Sequence, residues 1–277
     1  MDAARQPAFV TRDFLVASLP PGAFRTVRFA WYCFSFFLRS TGSIFLQRLP
    51  EVHGCSPGSF SCLAEQLRAV NTLAPTRACY IMAKYHSDKA SRWHNYTTIY
   101  SALFNGRRHQ PLRIFELGLG TNNPDLPSTM GVPGRPGASL RGWREFFPHA
   151  HVYGADIDTT ILFQEARIKT FPCDQLDAVS IRTLWSQPDL QAGMDIIIED
   201  GLHTFEANIS FLEGSLEHLR PDGIYVIEDI ATEMVDRWCD RIKTVYSKRY
   251  TGYEFAVVIL PNNLNRSDNN LLVIRKP

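Results

Sequence analysis

From residue 112 onward, short β-branched apolar runs recur, and that recurrence restricts the fold more than any other feature of the chain. Leu112–Leu117, Val152–Ala155, Ile168–Phe171, Met194–Ile198 and Ile224–Ile227 each read as a strand. The runs are continuous rather than alternating, as in strands covered by helices on both faces. Between the fourth and fifth, Phe205, Ile209, Leu212, Leu216 and Leu219 recur at three- and four-residue spacing, which predicts an amphipathic helix. Pro221-Asp222-Gly223 supplies a turn after it, and a further helix is expected near 231–248. Phe255–Leu260 and Leu271–Ile274 follow, joined by a polar loop too short for a helical crossover, so this last pair should be antiparallel. The whole predicts an α/β, Rossmann-like sheet of seven strands, mostly parallel with the last one antiparallel, and helices on both faces.

Two of these runs stop abruptly on acids: Ile196-Ile197-Ile198-Glu199-Asp200-Gly201-Leu202-His203 and Ile224-Tyr225-Val226-Ile227-Glu228-Asp229. The carboxyl ends of strands in an open α/β sheet line the ligand crevice. Neighbouring strands lie about 4.8 Å apart, so Asp200, Glu228 and Asp229 can reach one point above them. Both members of the 228–229 pair converge only if the strand has already ended there, since successive strand residues face opposite ways. An all-oxygen set favours Mg²⁺, with Mn²⁺ or Ca²⁺ as other hard cations, over zinc. His203, three residues beyond Asp200 at the head of the next helix, suits a general base. Capping that helix is its plain structural alternative.

The first run ends in Glu116-Leu117-Gly118-Leu119-Gly120-Thr121, a turn that lets a ligand approach the backbone. Asn123 stands where a dinucleotide fingerprint needs its third glycine, which disfavours a pyrophosphate loop. The second run ends on Asp156, placed to grip a ribose diol, and the third leads to Asp174-Gln175, able to read an adenine edge. Acids closing three successive strands are the order expected for S-adenosylmethionine. The cofactor set is thus Glu116, Gly118, Gly120, Asp156, Asp174 and Gln175, together with Ser139, which also reads as the N-cap of a helix carrying Leu140, Trp143 and Phe147. The Pro/Gly-rich stretch 122–136 is long enough to act as a lid.

A formal net charge of +1 leaves no electrostatic footprint for nucleic acid. Six scattered cysteines without a CxxC pair, and no legible cleavable signal at Met1, predict free thiols in a reducing cytoplasm. Residues 1–75 read as an N-terminal extension with short helices, and 76–277 as the catalytic domain. Within the extension, Phe29–Leu38 is an aromatic stretch flanked by arginines. It is too short to span a bilayer, which takes about 20 apolar residues. An accessory helix packed on the core or on a partner is the favoured reading. A peripheral membrane contact through 24–50, at the inner membrane face, is the alternative.

Glu116-Leu-Gly-Leu-Gly, Gly137-Ala-Ser139-Leu-Arg141-Gly-Trp143, Tyr153-Gly-Ala-Asp156-Ile, Asp174-Gln175, Glu199-Asp200-Gly-Leu-His203 and Val226-Ile-Glu228-Asp229 together resemble the metal-dependent sugar O-methyltransferases of macrolide biosynthesis, over about residues 80–275. The segment Tyr85-His86-Ser87-Asp88-Lys89, with Trp93-His94-Asn95-Tyr96, also resembles one that flanks the cofactor in these enzymes. The resemblance implies a class I methyltransferase sheet, S-adenosylmethionine as methyl donor, and Mg²⁺ held by Asp200, Glu228 and Asp229. It implies His203 as base, the hydroxyl of a glycoconjugate sugar as acceptor, and a homo-oligomer. Leu202 and the Pro/Gly-rich 122–136 loop depart from that family. A catechol-like O-methyltransferase and a non-catalytic glycolipid-binding protein are the competing expectations.

Overall fold

The computed structural model describes residues 49–54, 62–90, 93–262 and 264–277, which belong to a compact unit spanning Gln47–Pro277. Most of the 24–50 segment therefore lies outside the described residues, as do Cys33 and Cys55. The strands are β1 (Glu51–Gly54), β2 (Arg113–Leu117), β3 (His151–Asp156), β4 (Gln164–Glu165), β5 (Ile168–Pro172), β6 (Met194–Glu199), β7 (Leu219–Ile227), β8 (Glu254–Ile259) and β9 (Asn270–Arg275). They form one sheet in the order β1-β8-β9-β7-β6-β2-β3-β5-β4. All seven expected strands are present. β2, β3, β5, β6 and β7 pair in parallel, while β9 runs antiparallel to both β7 and β8.

The sheet gains two short edge strands that no apolar run announces. β4 pairs antiparallel with β5, and β1 pairs antiparallel with β8. β1 and helix α1 (Cys62–Arg68) come from within 1–75, and α1 is tied to β8 by Leu63 N–H donating to Glu254 Oε1 at 3.2 Å. β7 also starts earlier than its apolar run, at Leu219, with an irregular register opposite Met194–Ile196 and Asp222 in the left-handed region at φ 58°.

Alternate residues of each central strand enter opposite cores. Ile114, Ile196, Ile198 and Val226 pack with α2 (Arg77–Tyr85), α3 (Tyr96–Phe104) and α4 (Ala138–Phe146). Phe115, Ile197, Tyr225 and Ile227 pack with α5 (Ala178–Trp185), α6 (Phe205–Ser215) and α7 (Val235–Arg241). Both faces are covered, which is why the strand sequences do not alternate. The helix expected near 231–248 is present as α7, preceded by a 3₁₀ turn and continued by a π turn through Tyr246.

Two local expectations are overturned. Leu219 opens β7 instead of closing the helix before it, and Pro221-Asp222-Gly223 lies within that strand. α4 is capped by Gly137 in the left-handed conformation at φ 72°, not by Ser139, which lies inside the first turn with its hydroxyl on Glu116. A glycine at that position starts the helix without any side-chain cap, so the serine hydroxyl is released for a tertiary bond.

Candidate active site

The strand ends are brought level by bonds that extend the ladder past the strands. Gly118 N–H donates to Ala155 O, Asp200 N–H to Leu117 O and Glu228 N–H to Glu199 O, at 2.8, 2.9 and 2.9 Å. Asp200, His203 and Asp229 then converge. One donor atom of each lies within 4.8 Å of the others. His203 Nε2 is 3.9 Å from Asp200 Oδ1 and 3.6 Å from Asp229 Oδ2. Two of the three residues sit at positive φ, His203 at 60° and Asp229 at 54°. Non-glycine residues in that region store strain and cluster at functional sites.

The other oxygen of each aspartate is held from a single segment. Lys89 Nζ donates to Asp200 Oδ2. Tyr96 OH donates to Asp229 Oδ1 at 2.6 Å, and His94 Nδ1 lies 3.4 Å from that same oxygen, with the two rings stacked 4.6 Å apart. Each aspartate therefore keeps one oxygen toward His203 and commits the other to the 89–96 stretch. Glu228 is different. It is buried, Lys89 Nζ donates to its Oε2 at 2.6 Å and Tyr100 OH donates to its Oε1. In this arrangement Glu228 faces Lys89 and Tyr100 rather than the Asp200–His203–Asp229 point.

Four acids, Glu116, Asp200, Glu228 and Asp229, meet one lysine and two histidines there. Burial raises the pKa of Asp229, helped by Asp200 and opposed by His203 and His94. Burial likewise raises Glu228 and Glu116, with Lys89 opposing both shifts. A cation entering between Asp200 and Asp229 relieves that repulsion. The residues present fit such an ion. Two carboxylates that each turn one oxygen to a common point are a donor set that suits Mg²⁺, and His203 Nδ1 is a buried polar atom with no hydrogen-bond partner among the described residues.

Of the residues expected to bind the cofactor, Gly118 and Gly120 form the turn that follows β2, and Asp156 and Glu116 bond to that turn or to α4 behind it. Gly118 and Gly120 have φ 89° and 79°, and a Cβ on Gly118 would lie 2.6 Å from the Asp200 carbonyl carbon. The glycine turn after β2 and the loop that carries Asp200 are thus in backbone contact. Asp156 accepts from Leu119 N–H at 2.7 Å and from Asp158 N–H at 2.8 Å, so it clamps the turn. Glu116 is fully buried and accepts from Ser139 Oγ and Trp143 Nε1. Gln175 donates to Glu199 Oε1 at 2.6 Å and accepts from Leu202 N–H at 2.8 Å, bracing the loop that carries Asp200. Asp174 is half-buried, its Oδ1 accepting from Leu176 N–H at 2.9 Å. Ile157 and Leu176 are large apolar residues left 52% and 56% exposed at the ends of β3 and β5, beside these polar groups.

Spacing alone does not reveal several participants. Lys89, Tyr96 and Tyr100 reach the acids from 111 to 139 residues away. The polar and aromatic mixture of 85–96 marks the segment but not its partners. Glu199 belongs to the acidic run, yet it is fully buried and bonded to Gln175 and Asn208, and burial pushes its pKa up to about 7.

No family model matches the chain. It is 32% identical over 180 residues to the 8-demethyl-8-(2-methoxy-alpha-L-rhamnosyl)-tetracenomycin-C 3'-O-methyltransferase of Streptomyces olivaceus, covering 62% of this chain and 43% of that protein. It is 32% identical over 153 residues to the mycinamicin VI 2''-O-methyltransferase of Micromonospora griseorubida, covering 55% of this chain and 35% of that one. The chain thus spans less than half the length of these curated relatives. Among solved structures, MycE methyltransferase from the mycinamycin biosynthetic pathway, in complex with Mg and SAH, superposes with a TM-score of 0.54 at 24% identity, covering 73% of this chain and 55% of that one. The chain has the class I methyltransferase fold.

Proposed function

We propose that this chain, a class I methyltransferase fold similar to sugar O-methyltransferases, is an S-adenosylmethionine- and Mg²⁺-dependent O-methyltransferase acting on a sugar hydroxyl of a glycosylated small molecule. The observation that carries the reading is the convergence of Asp200, His203 and Asp229 in backbone contact with the glycine turn after β2. A sugar hydroxyl is a poor nucleophile until it loses its proton. Mg²⁺, when bound, lowers the pKa of such a hydroxyl, and S-adenosylmethionine supplies the methyl group.

The chain's own residues do the rest. Asp200 and Asp229 would hold the ion through the oxygens they turn toward His203. Tyr96 and His94 keep Asp229 in its left-handed pose, so its free oxygen stays aimed. His203 Nε2 faces the same point and would take the hydroxyl proton as the carbon–oxygen bond forms and the donor's sulfur–methyl bond breaks, which leaves S-adenosylhomocysteine. Gly118 and Gly120 let the methyl donor approach the backbone, Asp156 and Gln175 brace the turns on either side, and Ile157 and Leu176 offer apolar surface for its adenine. The acceptor class rests on similarity to enzymes whose own acceptors are glycosylated tetracenomycin and mycinamicin. Homo-oligomer formation and a cytoplasmic location are further proposals, as is a 1–75 extension, of which β1 and α1 join the compact unit; among the described residues no helix is long and apolar enough to cross a membrane.

The test is methyl transfer from labelled S-adenosylmethionine to a panel of glycosides and catechols. Turnover on glycosides that EDTA abolishes and Mg²⁺ restores is expected. Turnover confined to catechols would replace the acceptor class, and full activity of Asp200→Ala would refute the metal role.

A further inference from the structure

Trp93 and Leu264 are large apolar residues left 53% and 63% exposed, and one side-chain amide joins their backbones. Asn262 donates through Nδ2 to Trp93 O at 2.8 Å and accepts through Oδ1 from Leu264 N–H, also at 2.8 Å. Three more asparagines stitch the 93–96 stretch to the loop between β8 and β9. Asn95 Nδ2 donates to Pro261 O at 3.1 Å, Asn269 Nδ2 donates to Asn95 Oδ1 at 2.8 Å, and Asn265 Nδ2 lies 3.4 Å from His94 Nδ1. His94, Asn265 and Asn269 are buried, so water competes little for these bonds. His94 in turn stacks on Tyr96, and both hold Asp229. Trp93 directly precedes His94, and Leu264 directly precedes the asparagine beside it. Each exposed side chain is thus one residue removed from the contacts that fix the candidate active site.

We propose that Trp93 and Leu264 form a seat for the apolar, non-sugar part of the acceptor and so set acceptor specificity. Single exposed apolar side chains need no explanation. Two that are held at a fixed backbone spacing by a shared amide, on a layer of buried asparagine bonds, are different: their ordering is complete before any ligand arrives, which lowers the cost of binding one. Their position names the occupant. An acceptor whose sugar hydroxyl reaches Asp229 and His203 must carry its remaining substituent outward past the residues next to His94. Water solvates an apolar substituent poorly, whereas an indole face and a leucine side chain remove its surface from water. The seat therefore selects a sugar already joined to an apolar group over the same sugar without one. Asn262 is a positioning residue in this account, since it acts through the backbones of Trp93 and Leu264 and not on the acceptor.

The inference rests on the sugar O-methyltransferase reading, and paired acceptors keep the two apart. Initial rates of the full chain are measured on octyl and methyl glycosides of the same sugars. The parent is expected to favour the octyl over the methyl glycoside by about tenfold or more in kcat/KM, the effect of burying some tens of Å² of alkyl surface. In Trp93→Ala/Leu264→Ala that ratio should fall to within about threefold of unity, through a higher KM for the octyl glycoside. Because the readout is a ratio, a general loss of activity cancels. Leu73→Ala, at another leucine left 42% exposed, should keep the parent's ratio. A double variant that retains the parent's preference, or a parent without one, overturns the seat and leaves the O-methyltransferase reading standing. An altered oligomeric state by light scattering, with the ratio unchanged, assigns the pair to contact between copies of the chain and overturns the seat likewise. A parent that methylates no glycoside overturns that reading and the seat with it.

Discussion

Gly118 joins the two halves of the site, and Gly118→Ala tests that junction. At φ 89° any side chain is strained, which alone costs about 1–2 kcal/mol. The added Cβ would also lie 2.6 Å from the Asp200 carbonyl carbon and 3.2 Å from Gly201 N, all of it backbone, where ordinary contact begins at 3.4 Å. The carbonyl carbon must therefore retreat by 3.4 − 2.6 = 0.8 Å, and the neighbouring carbonyl oxygen by more. Strain and displacement together are expected to cost about 3 kcal/mol, or a drop of roughly 6–12 °C in the thermal midpoint of a unit this size. A misplacement of about 1 Å at a reacting centre costs on the order of 10²-fold in rate, and Asp200 moves with its carbonyl. Methyl transfer should fall by about that factor, in excess of the loss explained by unfolding at the assay temperature. Gly106→Ala is the matched control, because nothing lies within 4 Å of the Cβ it adds; it should stay within roughly 0.5 kcal/mol of the parent. Differential scanning calorimetry and initial rates decide the matter. If Gly118→Ala keeps the parent's midpoint and rate, the turn after β2 does not press on the Asp200 loop and the reasoning is wrong.

Glu199 gives a pH signature. Its folded pKa is pushed up to about 7 from an ordinary 4.5, so the fold favours its protonated form. That stability is present below pH 4.5 and lost as pH rises toward 7, an amount of about 3 kcal/mol. Glu199→Gln should flatten the stability-versus-pH curve over that interval, measured by urea denaturation in EDTA; an unchanged slope would mean that another group carries it. Tyr96→Phe removes the 2.6 Å bond to Asp229. It should cost about 2 kcal/mol of stability and weaken Mn²⁺ binding several-fold, while leaving S-adenosylhomocysteine affinity by calorimetry as it was.

The seven principal strands are legible because each is buried on both faces, and burial of that kind writes an unbroken apolar run into the sequence. β1 and β4 are not, since a short edge strand is defined by the ladder its partner offers rather than by its own composition. Ser139 shows the same limit at the scale of one residue. Its position suggests a cap, but Gly137 starts the helix and the serine hydroxyl turns to Glu116. The acids and histidine at the ends of β6 and β7 are visible as a group. The division between them is not, because it depends on Asp229 adopting φ 54° while Glu228 points toward residues from a distant part of the chain. Lys89, Tyr96 and Tyr100 carry no spacing signal for the same reason: their partners are chosen by the folded sheet.

That distance in sequence also sets when the site can exist. The bonds that aim the acids join residues 111, 133 and 139 positions apart, and Asn269 reaches Asn95 across 174. Contacts of such long range carry a larger loop-closure cost than the central strand pairings, so they are expected to close after those strands have aligned. While the 85–100 segment is still undocked, the acids at the ends of β2, β6 and β7 have no lysine or tyrosine to answer them. Those acids then repel one another across the top of a sheet that has otherwise formed. A divalent ion present at that stage would act on assembly before it acted on any substrate.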